Sequence, residues 1–387
     1  MRTPSRIHTD LLPFQVVLFT SSAAVAGIIP LLGELRDTLG FTETAIGIVV
    51  AAGFLGSFVA QVGLSRFADR GYGRQMVTAG VGLAFLSLVA MIFADGLGVW
   101  ILIRSLLGFA TGLIVPGVRR AAAVHDPERV GENLGRLVVG DMTGFLLGPV
   151  GAALIERSFG FRAPFLALAV VVLLFLPFAA RMPADRGVLD TSGRKNSFDL
   201  LRIRRLQGAL ILVLGYFSLI GAWEAVMPVM FADRGASPLA TGVAFTLLGI
   251  PMILFATLAG RTADRIGPPR VAMAALVLIG LSTMLYGVID SVSRLVAFQG
   301  LLGISDAFGF TATQVAVSRA VPQDRQASAL GLMGGVQVLG AGLFAFPAAA
   351  LYQATGEEAT WALVGLTMLV IVAVGALRLR GTNPAAE

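Results

Sequence analysis

Long apolar runs separated by short polar intervals organise this chain from end to end. A helix that crosses a bilayer needs about 20 mostly apolar residues. That ruler predicts spans near 13–33, 44–64, 76–95, 98–118, 134–155, 163–181, 208–231, 240–260, 270–289, 294–317, 327–352 and 359–379. Many glycines and several prolines fall inside them, which bilayer helices tolerate better than soluble ones. The polar intervals leave no room for a separate soluble domain. The expected fold is an all-α integral membrane protein of about twelve crossings. Met1 to Gly27 imitates a secretory signal, with basic residues, an apolar run and small residues at Ala23, Ala24 and Ala26. The run continues through Ile28, Ile29, Pro30, Leu31 and Leu32, long enough to span, and is read as the first transmembrane helix.

The cationic residues fix an orientation. With the N-terminus cytoplasmic, only Arg36, Arg157, Arg162, Arg234 and Arg294 fall in or at the edge of outer loops, and Arg104 alone lies well inside a span. All the others among the 29 Lys and Arg residues lie on the cytoplasmic side, as the positive-inside rule requires. A missed or invented span would scramble that split. Both termini are therefore expected in the cytoplasm, with the chain in a bacterial plasma membrane.

The longest polar stretch, Met182 to Gln207, falls between the sixth and seventh spans. It divides the chain into an expected six-helix bundle over 1–181, a cytoplasmic linker over 182–207 and a second six-helix bundle over 208–387. The two halves look like copies. Asp69-Arg70 recurs as Asp264-Arg265, Arg104 to Gly108 as Gln299 to Gly303, Pro127 as Pro322 and Gly140 as Gly335, always at the same offset. Four matches at one offset indicate an internal duplication with parallel topology. Transporters built from such repeats bind substrate between the halves and expose it to each side in turn.

Composition narrows the chemistry. Hydrophobic residues make up 56% of the chain and charged residues 13%, with mean hydropathy +0.83. Soluble domains carry about 25% charge, and a soluble chain could not hide this much apolar surface. There is no cysteine, and His8 and His125, the only histidines, sit in polar flanks. Thiolate metal sites, disulfides and histidine-dependent nucleophilic catalysis are thereby excluded, and neither cofactor nor metal is expected. The net charge of +6 is accounted for by the basic membrane face, so no nucleic-acid partner is expected.

Two short cytoplasmic loops carry the first mechanistic signal. One runs Gly63-Leu64-Ser65-Arg66-Phe67-Ala68-Asp69-Arg70-Gly71-Tyr72-Gly73-Arg74, the other Gly260-Arg261-Thr262-Ala263-Asp264-Arg265-Ile266-Gly267. Glycine permits a tight reversal. The aspartate can accept hydrogen bonds from a neighbouring helix end, and the arginine can pair with a carboxylate. Such contacts would hold the cytoplasmic face closed in one state and release it in another, with Asp69, Arg70, Arg74, Gly260, Asp264, Arg265 and Gly267 as gate candidates.

These loops resemble the cytoplasmic signature of the major facilitator superfamily, Gly-x-x-x-Asp-Arg-x-Gly. Gly260, Asp264, Arg265 and Gly267 match it fully. The first copy departs from it, with Ser65 at the leading glycine and one extra residue before Gly73-Arg74. The resemblance covers essentially the whole chain and implies a secondary transporter. Arg104, followed by Gly108 and Gly112, is similar to the family's fourth-helix motif, which is implicated in proton coupling. An arginine in hydrocarbon is costly and faces an interior cavity or snorkels to an interface. Gly135, Gly144 and Gly148-Pro149 are similar to the family's antiporter signature, with Ala152 and Ala153 in place of its final glycine pair. Physically, Gly140, Gly144 and Gly148 make a smooth groove for a partner helix, and Pro149 frees a carbonyl.

Three acids lie inside spans: Asp141, Glu224 and Asp306. A charged carboxylate is expensive there, so such groups bind and release protons readily, which a proton-coupled carrier needs. Gln299, Gly303, Asp306 and Thr313 fall on one face of the tenth span as a polar stripe, read as a cavity lining. Trp223 beside Glu224, with Tyr216 two turns away, offers aromatic faces that suit a lipophilic cation. The alternative for each acid is a neutral carboxyl hydrogen-bonded to a neighbouring helix. Glu34, beside Arg36 and Asp37, is read as interfacial, which puts the proton site in the second half.

The expected function is proton-coupled export of a hydrophobic, cationic small molecule by a monomeric carrier whose partners are its substrate, protons and membrane lipids. The alternative is a carrier of another class: a lipid flippase, metabolite exporter or proton symporter.

Overall fold

The computed structural model describes residues 11–125, 130–182, 197–322 and 325–380, and these contain helices and turns but no strand. Most of the predicted linker and both ends of the chain lie outside the described residues. The helices are α1 (Leu12–Ala26), α2 (Leu32–Leu39), α3 (Glu43–Phe67), α4 (Gly73–Ile92), α5 (Leu97–His125), α6 (Val130–Phe159), α7 (Ala163–Ala180), α8 (Arg204–Asp233), α9 (Pro238–Ile266), α10 (Pro268–Thr283), α11 (Val292–Ser318) and α12 (Gln326–Leu379). Among the described residues, eleven helical segments are long and apolar enough to cross a membrane.

The eleventh is two crossings. Its 52 residues would extend about 78 Å at 1.5 Å per residue, far beyond a bilayer. Gly356 interrupts it with φ 77° and ψ −170°, backbone only glycine adopts without strain. The break falls between the two spans predicted at 327–352 and 359–379. The first crossing is also broken, by a short 3-10 turn at Ile29–Leu31 that contains Pro30, whose missing N–H cannot continue the ladder. It then runs on through α2 to Leu39, six residues past the predicted end, so Glu34, Arg36 and Asp37 are helical.

The described chain forms two compact units, one holding Met1–Leu31 and Leu55–Asp190, the other Leu32–Phe54 and Thr191–Glu387. In the first, glycines set helix spacing. A Cβ at Gly140 would stand 2.6 Å from the Gln15 carbonyl oxygen and one at Gly148 2.7 Å from that of Ala23, while one at Gly144 would collide with that of Phe19. These contacts step along α6 and α1 four residues at a time, so the two backbones touch along one seam. In the second unit, Gly221 of α8 meets the Ala341 carbonyl of α12 in the same manner, and Gly303 of α11 meets the Leu248 carbonyl of α9. Trp361 is wholly buried there, its Nε1 donating to Met230 Sδ at 3.1 Å.

Candidate functional site

Both buried acids of the second unit, with Gln299, lie on α8 and α11, which pack together. Asp306 is 8% exposed and Tyr216 3%. The Tyr216 hydroxyl lies beside the Asp306 carboxylate. Tyr286, in the turn after α10, lies within electrostatic reach of the same carboxylate and close to Thr283, whose own hydroxyl donates to the Ile279 carbonyl at 2.8 Å. Tyr286 is held by edge contacts with Phe298 and Trp361, at 6.1 and 5.3 Å between centroids. Only four tyrosines occur in the chain, and two of them address this one acid. Tyr286 and Thr283 escaped the sequence reading. A rare phenol in an apolar span was the available signal.

Further along the same interface, the Gln299 amide meets Met227 Sδ at 3.5 Å. Gln299 is 1% exposed, and its Oε1 has no partner among the described residues. Glu224 is also buried. It sits one turn from Met227 and about two turns from Tyr216 along α8, at a level between the Gln299 and Asp306 contacts. Trp223 stacks on Phe245 of α9, 4.0 Å between centroids, so one of its faces is covered. Thr313 is buried and donates to the Phe310 carbonyl of its own helix at 2.8 Å. Gly303 faces α9. The predicted stripe on α11 is therefore buried against α8 and α9.

In the first unit, Arg104 is buried within the protein on α5. Asp141 on α6 accepts a hydrogen bond from Ser22 of α1, and Arg119 of α5 is within electrostatic reach. Neither partner was anticipated. Gly144 and Gly148 supply the α1 seam described above, Pro149 lies inside α6, and Gly135 lies on the same helix outside the residues whose side chains are described.

The cytoplasmic loops differ from one another. Asp264 pairs with Arg319, which caps the end of α11, at 2.6 Å. The partner is an exposed arginine side chain at the end of a neighbouring helix, which spacing did not reveal. Arg265 is exposed. Gly267 has φ +105° and turns the chain from α9 into α10, whereas a Cβ at Gly260 would come no nearer than 3.9 Å to Thr311. In the first copy, Gly71 takes φ +92°, the Arg70 guanidinium lies 5.6 Å over the Phe67 ring, and Arg74 is exposed. The Asp69 side chain lies outside the described set.

A second polar network joins α2, α3, α8 and α12 inside the second unit. Arg36 pairs with Asp37 at 3.0 Å, with Asp233, and more distantly with Glu43 at 3.6 Å. The Tyr352 hydroxyl donates to the other oxygen of Asp233 at 2.6 Å. The residues read as a simple interfacial cluster thus bind helices together.

The arrangement offers two buried carboxyls, one of them beside the Tyr216 hydroxyl, and no nucleophile–base pair is assembled around them among the described residues. The comparisons agree with a carrier. The profile of the Major Facilitator Superfamily matches residues 15–229 and 209–387. The uncharacterized MFS-type transporter YuxJ of Bacillus subtilis (strain 168) is 24% identical over 338 residues, covering 83% of this chain and 86% of that protein. The multidrug resistance protein MdtG of Escherichia coli (strain SMS-3-5 / SECEC) is 27% identical over 333 residues, covering 81% and 80%. Among solved structures, a bacterial homologue of the human lysosomal transporter Spinster superposes with a TM-score of 0.79 at 14% identity, covering 96% of both chains. With the profile matched over nearly its whole length, the chain belongs to the Major Facilitator Superfamily.

Proposed function

We propose that this transporter exports a hydrophobic, cationic small molecule in exchange for protons, working as two six-helix halves over 1–181 and 208–387, with Glu224 and Asp306 as the exchanging groups. The observation that carries the reading is the burial of both carboxyls in one helical unit, Asp306 under the Tyr216 hydroxyl. A carboxylate there binds either a proton or a cation, because two positive charges cannot share one desolvated anion. Proton entry from the outer side neutralises the acid, releases the held cation and favours return of the empty carrier. The multidrug name of the MdtG relatives supports the same substrate class. The Asp264–Arg319 pair and the Gly267 turn support a cytoplasmic gate.

The test is efflux in proteoliposomes under an imposed pH gradient, with lipophilic cationic dyes set against neutral analogues. A gradient acid on the side receiving the dye should accelerate movement of the cations. Equal rates with and without the gradient would remove proton exchange from the account.

A further inference from the structure

Just before α8, residues Ser197–Arg202 form a short 3-10 turn that is fastened to the second unit. Asp199 holds Arg325 through two hydrogen bonds, at 2.7 and 3.2 Å. Leu200 is 3% exposed and belongs to one buried cluster with Leu206, Ala209, Leu210 and Val213 of α8 and Ala316, Val317 and Ala320 at the end of α11. The Gln207 amide caps the Leu201 carbonyl at 2.6 Å. One face of this strap is thereby used. The other presents Phe198 at 58% and Leu201 at 38% exposure, beside the exposed Arg202 and Arg204 and the half-buried Arg205.

The depth of the strap follows from α8. Its 30 residues rise about 45 Å, the thickness of a bilayer with its headgroups. The first turn of α8 therefore stands at headgroup level. Leu200 joins a cluster reaching three turns into α8, so the strap folds back along the bundle instead of projecting into water. An exposed phenylalanine and leucine at that depth meet the acyl boundary, and the adjacent arginines meet phosphates. Apolar contact plus attraction to anionic lipid is how interfacial segments hold a membrane.

We propose that this strap is a binding site for anionic phospholipid headgroups of the leaflet on the side of the termini, and that Asp199–Arg325 ties the bound lipid layer to the start of α12. The inference requires only that the chain spans a membrane, so it stands or falls apart from proton exchange.

The chain has no cysteine, so Phe198→Cys and Leu201→Cys each provide a single attachment point for an environment-sensitive fluorophore in the full-length protein. The labelled protein is placed in vesicles of phosphatidylcholine, with or without added phosphatidylglycerol. Emission should be that of an apolar site, quenched by lipids spin-labelled near the headgroup, and more strongly quenched with phosphatidylglycerol. Each basic residue at an anionic surface is worth about five-fold in partitioning. Adding Arg202→Gln and Arg204→Gln should therefore cut the phosphatidylglycerol preference by roughly ten-fold or more, with the melting temperature unchanged. Water-like emission would overturn the proposal. So would apolar emission that spin-labelled lipid cannot quench, which would mean that the chain itself covers the face. Quenching indifferent to phosphatidylglycerol and to the arginines would overturn it too.

Discussion

The Tyr216 hydroxyl on α8 lies beside the carboxylate of Asp306 on α11, and both residues are more than nine-tenths buried. A hydrogen bond to a charged group contributes about 1.5–3 kcal/mol. A phenol O–H placed there is able to donate to this carboxylate when it is an anion. Tyr216→Phe keeps the ring and removes that donor. Transport by this variant should still respond to a pH gradient but run about ten-fold slower or more, whereas Asp306→Asn should lose the response. Dye efflux measured across a series of gradients separates the two effects.

The seam between α1 and α6 makes a stability prediction with an internal control. A methyl at Gly144 would run into the Phe19 carbonyl, while a methyl at Gly151 of the same helix would meet nothing within 4 Å. Backbone cannot step aside as a side chain does, so Gly144→Ala should destabilise by about 1–3 kcal/mol. Gly151→Ala should be neutral or slightly stabilising. Thermal unfolding of the purified protein in detergent reads the difference directly.

Two glycines of the cytoplasmic signature are predicted to behave differently although the motif treats them alike. Gly267 sits at φ +105°, where an L residue is strained, so Gly267→Ala should cost about 1–3 kcal/mol. Gly260 is helical with room for a methyl, and Gly260→Ala should fold as wild type. Melting temperatures of the two variants, taken side by side, check the assignment.

Asp233 should matter more than Asp37, although both face Arg36. Asp233 accepts from Arg36 on one oxygen and from Tyr352 on the other, so Asp233→Asn disturbs two helix contacts at once. Asp37 is 55% exposed and adjacent to Arg36 in sequence, which makes its pair local. The Asp233 side chain is itself 36% exposed. Solvent screening therefore keeps the expected loss near about 1 kcal/mol, not the 3–5 kcal/mol of a fully buried pair. Asp37→Asn should lie within error of wild type in the same thermal assay.

The sequence carried the crossings because hydrocarbon imposes one length and one polarity on every helix, and each predicted span falls on a helical segment, with α2, α5 and α9 running six or seven residues past the predicted ends. It also carried the break near Gly356, where the apolar run pauses at Gly356, Glu357 and Glu358. The partners of the acids were harder to see. Tyr286 and Asp306 belong to different segments, as do Asp264 and Arg319, and their meeting depends on packing that no local spacing encodes. The polar stripe on α11 was legible as a stripe. Its burial against α8 and α9 was not, because periodicity says which residues share a face and nothing about what covers it. Gln15, Phe19 and Ala23 gave no sign of their role on α1, since they present backbone carbonyls to the α6 glycines.

The central claim is that a proton and a cationic substrate compete for buried carboxyls in the second half of the chain. The most direct measurement is proton release on substrate binding, followed with a pH indicator in weakly buffered detergent solution. Wild type should release protons as a lipophilic cation binds, Asp306→Asn and Glu224→Gln should each release fewer, and the double variant should release none. Undiminished release from the double variant, with substrate still bound, would contradict the account.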